Sequence, residues 1–473
     1  MNKFFIALLL SCITYSSFAQ QAPTQKTANN FTLQDCINYG YEHQDTVKNA
    51  KLDVLSADYK VKETIGIGLP QINGSVSFQD YIKTPSIIFP DFISSPIYAI
   101  LSGNNVKNSV TNTVIPSTPP QSNAKPNSVS LYQKYSNNIG VTLNQIIFDG
   151  SYIIGLKASR TYKQLYERSL IRSKIDARIN ITKAYYQVLV SNEQIKLLDA
   201  DLNQLKQQVE QTEASNKQGF VEKIDVDRIK FQLNNLTTTK ENIERLLVLN
   251  YQLLKFQIGM PVNEDLTLKD KLEDLNLAID PSDNVDTAFY HNRIEYNLFS
   301  TNLELNKLDL KRKKSQFLPS LMFVANAGDQ FQNNNIGQLY SNNYLSSYVG
   351  LNLNIPIFNG FQRKYQVKET QINVVKAQND LDNLKNALTL QANSAKITYI
   401  NSLKSLENQK QNQALAQEVL RVTKIKYQQG VGSSIEVTQA QTALEDADNK
   451  YIQSLYDVLI NKVDLDKAYG KLN

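Results

Sequence analysis

Four segments of the chain alternate apolar and polar residues with a period of two. In residues 349–357, every odd position is Val, Leu or Ile. This alternation predicts strands with one apolar and one polar face. Strands are expected at about residues 71–82, 137–148, 320–331 and 347–358. Each is about as long as a tilted transmembrane strand, and polar faces of Asn, Ser, Thr and Gly suit a water-filled lumen. Half-buried strands of a soluble sheet remain the alternative.

Long stretches after the strands carry apolar residues at steps of three and four, as in Val226, Ile229 and Leu233. This spacing places the apolar side chains along one stripe that packs against a neighbouring helix. A continuous helix from Gly150 to Gly219 would be about 100 Å long at 1.5 Å per residue. Helices are expected at residues 151–218, 221–258, 361–429 and 433–470.

The chain contains an internal repeat. Residues 139–150 resemble residues 349–360, and a glycine follows each segment after a similar distance, at Gly219 and Gly430. Self-similarity over this distance predicts two copies of one structural unit. We expect a first repeat at residues 20–259, a linker or equatorial segment at 260–285, and a second repeat at 286–473.

The two repeats differ mainly at residues 84–127. This segment is rich in Pro, Ser and Asn. Proline fixes φ and removes a backbone donor, so the segment is expected to be a long irregular loop between two strands.

The first residues resemble an export signal. Residues 1–19 combine Lys3, an apolar core and the small residues Ser17 and Ala19 before the expected cleavage site. The alternative is lipidation at Cys12. No later run approaches the roughly 20 apolar residues of a membrane helix. The chain is therefore expected to enter a membrane only as strands.

Four strands do not close a barrel, because about eight are needed even for a filled one. Open strand edges are not tolerated in lipid. Other copies of the chain must then complete the barrel, with eight strands from two copies or twelve from three. A polar inner face favours the larger number.

Composition excludes several functional classes. The 473 residues carry a formal net charge of +5 and contain two Cys and two His. Two His exclude a His-rich metal site, and loss of the signal peptide leaves Cys36 without a disulfide partner. Charge of mixed sign gives little support for nucleic-acid binding. No nucleophile elbow, zinc-protease or Walker sequence is present. We therefore expect no enzyme and no cofactor.

At this point the chain resembles the TolC-like outer-membrane efflux proteins. The resemblance rests on Leu69-Pro70, Phe148-Asp149-Gly150, Phe358-Asn359-Gly360, the glycine turns and the duplicated layout. It implies a homotrimer in which a 12-stranded outer-membrane β-barrel, with four strands per chain, continues into a long coiled-coil α-barrel through the periplasm.

The resemblance also implies function and partners. Such a trimer is the passive exit duct of a tripartite efflux or type I secretion system, and it works with a periplasmic membrane-fusion adaptor and an inner-membrane pump. The alternative is a periplasmic coiled-coil adaptor or scaffold without channel activity. An adaptor needs a lipoyl-like domain between its helical arms, and residues 219–259 leave no room for one.

The first site implied by the resemblance is the adaptor-docking turns. In the family, the turns at the periplasmic end of the tunnel meet the adaptor. The matching residues here are Gly219, Phe220, Val221, Gly430, Val431 and Gly432. The alternative is that the glycines only permit tight turns, since the φ of a glycine is explanation enough.

The second implied site is a gate at the same end of the tunnel. Asp225 and Glu436 match acidic positions near the constriction, and Tyr427 matches a tyrosine whose hydroxyl helps to hold the helices shut. Three copies of a carboxylate around a narrow pore would favour cations. Alternatively, both carboxylates stabilise the first helical turn that they face. The chain departs from the family at Gln439, which replaces an acidic residue, and at Gly432, which replaces a basic one.

Overall fold

The computed structural model describes residues 30–88, 94–119, 128–130, 132–272 and 289–472. The expected signal peptide, Cys12, residues 273–285 of the linker, and residues 89–93 and 120–127 of the expected loop lie outside this part of the chain. The helices and strands are β1 Asn30–Phe31, α1 Leu33–His43, α2 Asp45–Ile67, β2 Gln71–Asp80, β3 Ser86–Ile88, α3 Ser94–Gly103, β4 Ser128–Ser130, β5 Tyr135–Phe148, α4 Gly150–Lys217, α5 Lys223–Ile258, β6 Thr267–Leu268, α6 Ile294–Ser315, β7 Ser320–Asn333, β8 Asn343–Asn354, α7 Gln362–Gln428 and α8 Ser434–Ala468.

The chain divides into two compact units. The helical unit comprises Met1–Ala50, Ile171–Arg293 and Ala387–Asn473, as far as these are described. The sheet unit comprises Lys51–Leu170 and Ile294–Asn386, with the same restriction.

The sheet unit contains a four-stranded antiparallel sheet in the order β2–β5–β7–β8. Its register aligns apolar residues into one row across the strands, formed by Ile72, Leu143, Ala325 and Val349. The neighbouring row on the other face is polar, formed by Asn73, Thr142 and Asn326. Asn326 Nδ2 donates a hydrogen bond of 2.8 Å to Thr142 Oγ1. The sheet therefore has one apolar and one polar face in this region, because successive side chains point to opposite sides.

The last strand lies four residues earlier than the segment expected at 347–358. β8 begins at Asn343, which pairs with Phe331, because β7 continues far enough to provide a partner. It ends at Asn354, so Ile355 and Ile357 lie beyond the ladder. The physical reason is Pro356, which has no N–H to donate and restricts the backbone of the preceding residue.

The segment expected to be an irregular loop, residues 84–127, contains regular structure. β3 pairs with β4 in an antiparallel ribbon, with Ser86 opposite Ser130. Residues Ser94–Gly103 form α3, in which Pro96 lies in the first turn. A proline is tolerated there because the first helical N–H groups have no partner within the helix.

The helical unit is built from two helix hairpins that pack through apolar seams. α4 packs on α5, and α7 packs on α8. The buried residues of the two seams are Leu198, Leu202, Leu205, Ile229 and Leu236 for the first hairpin, and Leu420, Val437, Ala440 and Leu444 for the second. A further cluster of Val190, Ile452 and Leu459 packs α4 against α8. The two hairpins are therefore joined along α4 and α8.

Hydrogen bonds join the N-terminal segment, residues 30–43, to the rest of the helical unit. β1 pairs in parallel with β6, and α1 begins with a capping box formed by Thr32 and Asp35. Tyr185 Oη donates a hydrogen bond of 2.9 Å to Asp270. Cys36 is a free, fully buried cysteine, and burial raises the pKa of its thiol to about 12.

In the described part of the chain, no helix combines the length and apolar character that a membrane span requires.

Candidate functional site

Both helix hairpins of the helical unit turn at a glycine in the left-handed region. The φ angles of Gly219 and Gly430 are +79° and +74°. Phe220 N donates to Ser215 O at 2.9 Å, and Val431 N donates to Lys426 O at 3.0 Å, so each helix ends with the same type of cap. A side chain at either glycine would be strained by its φ alone.

The residues after these glycines differ in their exposure. Phe220 is 79% exposed and Val431 is 78% exposed, so both present apolar side chains to the surroundings. Val221 is half-buried, and its carbonyl accepts a hydrogen bond of 2.8 Å from the Asn216 side chain. A tight turn by itself requires neither exposed apolar side chain.

Gly432 has a packing role that the sequence does not reveal. A Cβ atom at this position would lie 3.1 Å from Lys426 Cβ and 3.1 Å from Tyr427 N. The chain therefore passes close to the end of α7 just before α8 begins, and a side chain at this position would require the end of α7 to shift by a few tenths of an ångström.

The second helix of each hairpin begins with an acidic residue in its first turn. Asp225 lies there in α5, and Glu436 lies there in α8. Ser433 caps α8 by accepting a hydrogen bond of 3.3 Å from the Glu436 backbone N–H. Both carboxylates are thus placed where the helix dipole favours negative charge. Glu436 is exposed, whereas Asp225 is half-buried.

Asp225 connects the two hairpins. Its carboxylate accepts a hydrogen bond from the hydroxyl of Ser434, the first residue of α8. Arg228 Nη1 lies 3.4 Å from Asp225 Oδ1 and 3.4 Å from Ser434 Oγ. We call this group of three residues the latch. It joins the start of α5 to the start of α8 through one charge-assisted network.

A cavity of about 1040 Å³ lies beside the latch. Asp225 and Tyr427 both line it, together with Phe220, Val221, Gly430 and Gly432, whereas Glu436 does not. Much of the remaining lining is glutamine, at positions 204, 207, 208, 211, 428 and 429. The tips of the two hairpins are thus separated by a polar space rather than an apolar core.

Tyr427 faces this cavity without the hydrogen bond that the family resemblance implies. Within the described residues, its buried hydroxyl has no hydrogen-bond partner. Burial, and secondarily the charge of Asp225, raises the pKa of the Tyr427 phenol. At the tips, the two hairpins are instead connected by the hydrogen bonds of Ser434 to Asp225 and Arg228.

Sequence reasoning did not identify Arg228 or Ser434. Arg228 follows Asp225 by three residues, so an ion pair along one helix face was visible in the sequence. Ser434 lies 209 residues from Asp225, and no local pattern relates the two.

Comparisons with known proteins agree with this architecture. The family model for outer membrane efflux protein matches residues 303–471. Outer membrane protein TolC of Salmonella enteritidis is 23% identical over 346 residues, covering 70% of this chain and 68% of the relative. A probable efflux pump outer membrane protein, TtgC of Pseudomonas putida, is 22% identical over 343 residues, covering 71% and 69%.

Solved structures share the fold across nearly the whole chain. A crystal structure of CusC superposes with a TM-score of 0.72 at 14% identity and covers 96% of this chain and 98% of that chain. The open state of the Neisseria gonorrhoeae MtrE outer membrane channel has a TM-score of 0.69 at 14% identity and covers 95% and 94%. Residues 303–471 thus match the outer membrane efflux protein family, and the relatives and solved structures extend the likeness over most of the chain.

Proposed function

We propose that the chain is the outer-membrane exit duct of a tripartite efflux or type I secretion system. It conducts substrates passively from a periplasmic pump–adaptor complex to the exterior and carries out no catalytic step. The observation that carries this proposal is the joining, in one chain, of a four-stranded sheet with two open edges and two long helix hairpins. The alternative of an adaptor or scaffold without a channel gains no support from the relatives, which are named as outer-membrane efflux proteins.

The open sheet edges support a homotrimer. β2 and β8 each have one strand neighbour in the four-stranded sheet, and all ten residues of β2 are exposed. Unpaired edges are not tolerated in lipid, so each β8 must meet β2 of another copy. Three copies give a barrel of twelve strands with the polar face towards a water-filled lumen and the apolar face towards lipid.

An apolar seam on α5 supports the same assembly in the periplasm. Leu246, Leu249, Leu253 and Phe256 follow coiled-coil spacing, yet all are exposed in the single chain, with Phe256 at 69%. A seam of this kind buries its side chains against another helix. The occupant that we propose is a second copy of this chain, since the sheet edges already require one.

The oligomeric state tests the proposed duct. The envelope is fractionated, the mature chain is extracted with mild detergent, and the particle is weighed by light scattering with the detergent subtracted. We expect a trimer that leaves the outer membrane only with detergent. A water-soluble monomer or dimer would overturn the duct and leave the coiled-coil scaffold as the leading account.

The hairpin tips form the gate in this proposal. The latch holds the α7/α8 hairpin against the α4/α5 hairpin within each subunit, and Tyr427 lines the polar cavity into which the tips move. Glu436 is exposed in one chain, and three copies of it around the axis would draw cations to the constriction.

The exposed apolar tips, Phe220 and Val431, dock the periplasmic adaptor. Replacing both with Asp should reduce adaptor capture at least tenfold, because apolar side chains of this size gain about 1.5–3 kcal/mol on burial and a buried charge is costly. Cross-linking in the native envelope, followed by mass spectrometry of the captured adaptor, measures this effect.

A matched control for docking is Val110→Asp, which changes a side chain with 89% exposure in the segment between β3 and β4. We expect this variant to capture the adaptor as the parent chain does. If the Phe220→Asp/Val431→Asp chain captures the adaptor as well as the parent chain does, the glycine turns have only a structural role.

A further inference from the structure

Three carboxylic acids converge between α4 and α8, away from the latch. Asp201 of α4 is only 8% exposed, and Glu445 and Asp448 of α8 are half-buried. All three line a cavity of about 100 Å³, which α5 closes with the neutral residues Asn235, Leu236 and Thr239. The apolar residues Leu198 and Ile452 complete part of its wall. These acids therefore lie where the two helix hairpins meet.

Asp201 and Asp448 line the same cavity, close enough for their carboxyl groups to share a hydrogen bond. An ionised carboxylate only accepts hydrogen bonds, so one of the two groups must carry a proton. Asp448 also accepts a hydrogen bond of 2.7 Å from Gln413. Within the described residues, no amide or hydroxyl donates to Asp201. The geometry therefore places the proton on Asp201, whose carboxyl group donates a hydrogen bond to Asp448.

The Gln232 amide favours the same location for the proton. Gln232 Nε2 donates a hydrogen bond of 3.2 Å to Glu445. Gln441 lies one turn earlier on α8 and is 2% exposed, but its buried Nε2 has no hydrogen-bond partner within the described residues. Burial raises the pKa of Glu445, and the hydrogen bond from Gln232 opposes this rise; an ionised Glu445 adds its negative charge to that of Asp448 opposite Asp201.

The charge of Lys424 opposes protonation of Asp201, but its effect on the pKa is smaller than those of burial and of the neighbouring acids. Lys424 of α7 faces Asp201, and burial lowers the pKa of this lysine. Lys240 of α5 pairs instead with Asp199 at 2.6 Å and with Glu244 at 3.3 Å. Asp446 of α8 adds negative charge beside Glu445. In the part of the chain that the structure describes, no group of His, Cys, Asp and Glu is arranged to hold a metal ion.

We propose that the Asp201–Asp448 pair is a proton-dependent contact that holds the α4/α5 hairpin against the α7/α8 hairpin and loosens when the proton is lost. The inference concerns helix packing and stands independently of the gate and of the docking tips. It makes the strength of the contact between the hairpins a function of pH.

The sign of the effect follows from the folded-state pKa of Asp201. Burial, and then the charges of Asp448 and Glu445, raises the pKa of Asp201 from 3.8 to about 7. Between these values the packed state holds a proton that the separated state releases. The packed state therefore becomes less favoured as the pH rises from about 4 to about 7, by up to about tenfold in the equilibrium constant per pH unit. Above that range the loss is complete.

Hydrogen exchange in Asp201→Asn tests the contact. Asn donates to Asp448 at every pH, so the variant imitates the protonated state permanently. Amide exchange is measured in peptides from α4 and α8 of the full-length variant and of the full-length parent, both in detergent and at the same pH. The intrinsic exchange rate then cancels in the ratio of the two. We expect nearly equal protection near pH 4, and at pH 8 protection at least about tenfold higher in the variant.

The matched control is Asp199→Asn, which removes an exposed carboxylate two residues earlier on the same helix. It should leave the pH dependence of exchange as in the parent chain. If Asp201→Asn does not fold, Asp448→Asn removes the other member of the pair and should flatten the same pH dependence. A ratio of variant to parent that stays the same from pH 4 to pH 8 overturns the proposal.

Discussion

Replacing Asp225 with Ala should raise the conductance of the reconstituted channel several-fold. The substitution removes the carboxylate that accepts from Ser434 and pairs with Arg228, so of the latch only the Arg228–Ser434 contact of 3.4 Å still joins the hairpins. Hydrogen bonds to charged groups contribute about 1.5–3 kcal/mol each, and partial exposure of Arg228 reduces its share. Loss of the network shifts the equilibrium between closed and open tips by about one to two orders of magnitude.

Planar-bilayer recording measures this effect, and two further variants define its origin. Ser434→Ala should give an increase of similar size, because both latch hydrogen bonds that cross from α5 to α8 end at the Ser434 hydroxyl. Asp227→Ala removes an exposed carboxylate two residues after Asp225 and should leave the conductance unchanged. Parent-like conductance in Asp225→Ala would exclude the latch from the gate.

The same recordings distinguish the effect of the Glu436 charge at the constriction from the effect of the latch. Glu436→Ala should lower the preference for cations and their blockade without widening the channel, because Glu436 is exposed and makes no part of the latch. If conductance and cation blockade both stay as in the parent, Glu436 serves only the first turn of α8.

The second large effect is expected at the apolar seam of α5. The double variant Leu249→Glu/Leu253→Glu should convert the trimer into monomers, because each subunit contact would then bury charges without partners. Leu249 is 58% exposed in the single chain, so the substitution leaves the packing within one chain intact. Light scattering of the detergent-extracted protein measures the mass directly.

A neighbouring position provides the control for the seam. Val248 is also an exposed aliphatic residue, but it points about 100° away from Leu249 around the helix. Val248→Glu should therefore keep the trimer. Trimers in the Leu249→Glu/Leu253→Glu chain would show that another surface joins the copies.

Much of the fold follows from patterns that are local in the sequence. Period-two alternation marks the strands because a strand turns successive side chains to opposite faces, and steps of three and four mark the helices because one stripe must be buried. The turns at Gly219 and Gly430 are readable because few other residues adopt a positive φ. Prolines were less informative: Pro356 ends β8 early, whereas Pro96 lies in the first turn of a helix inside the segment expected to be irregular.

Only part of the candidate site could be predicted from local sequence patterns. The turn glycines and Asp225 lie at positions that the sequence identifies. The family resemblance also implies a hydrogen bond from the Tyr427 hydroxyl, but within the described residues this hydroxyl has no partner. Gly432 lies close to the end of α7, and this close approach became evident only in the structure.

The sequence by itself determined the long strands and helices, the two glycine turns and the family resemblance. The tertiary structure decided which distant side chains meet. It brought Ser434 into contact with Asp225, Asp448 into contact with Asp201, and β7 beside β5. These contacts join segments that are about 180 to 250 residues apart in the chain. Periodicity specifies which face of an element is buried, but it does not specify the neighbour or the axial register. Hydrogen bonds and shared protons depend on that register to within a few tenths of an ångström, and packing sets it.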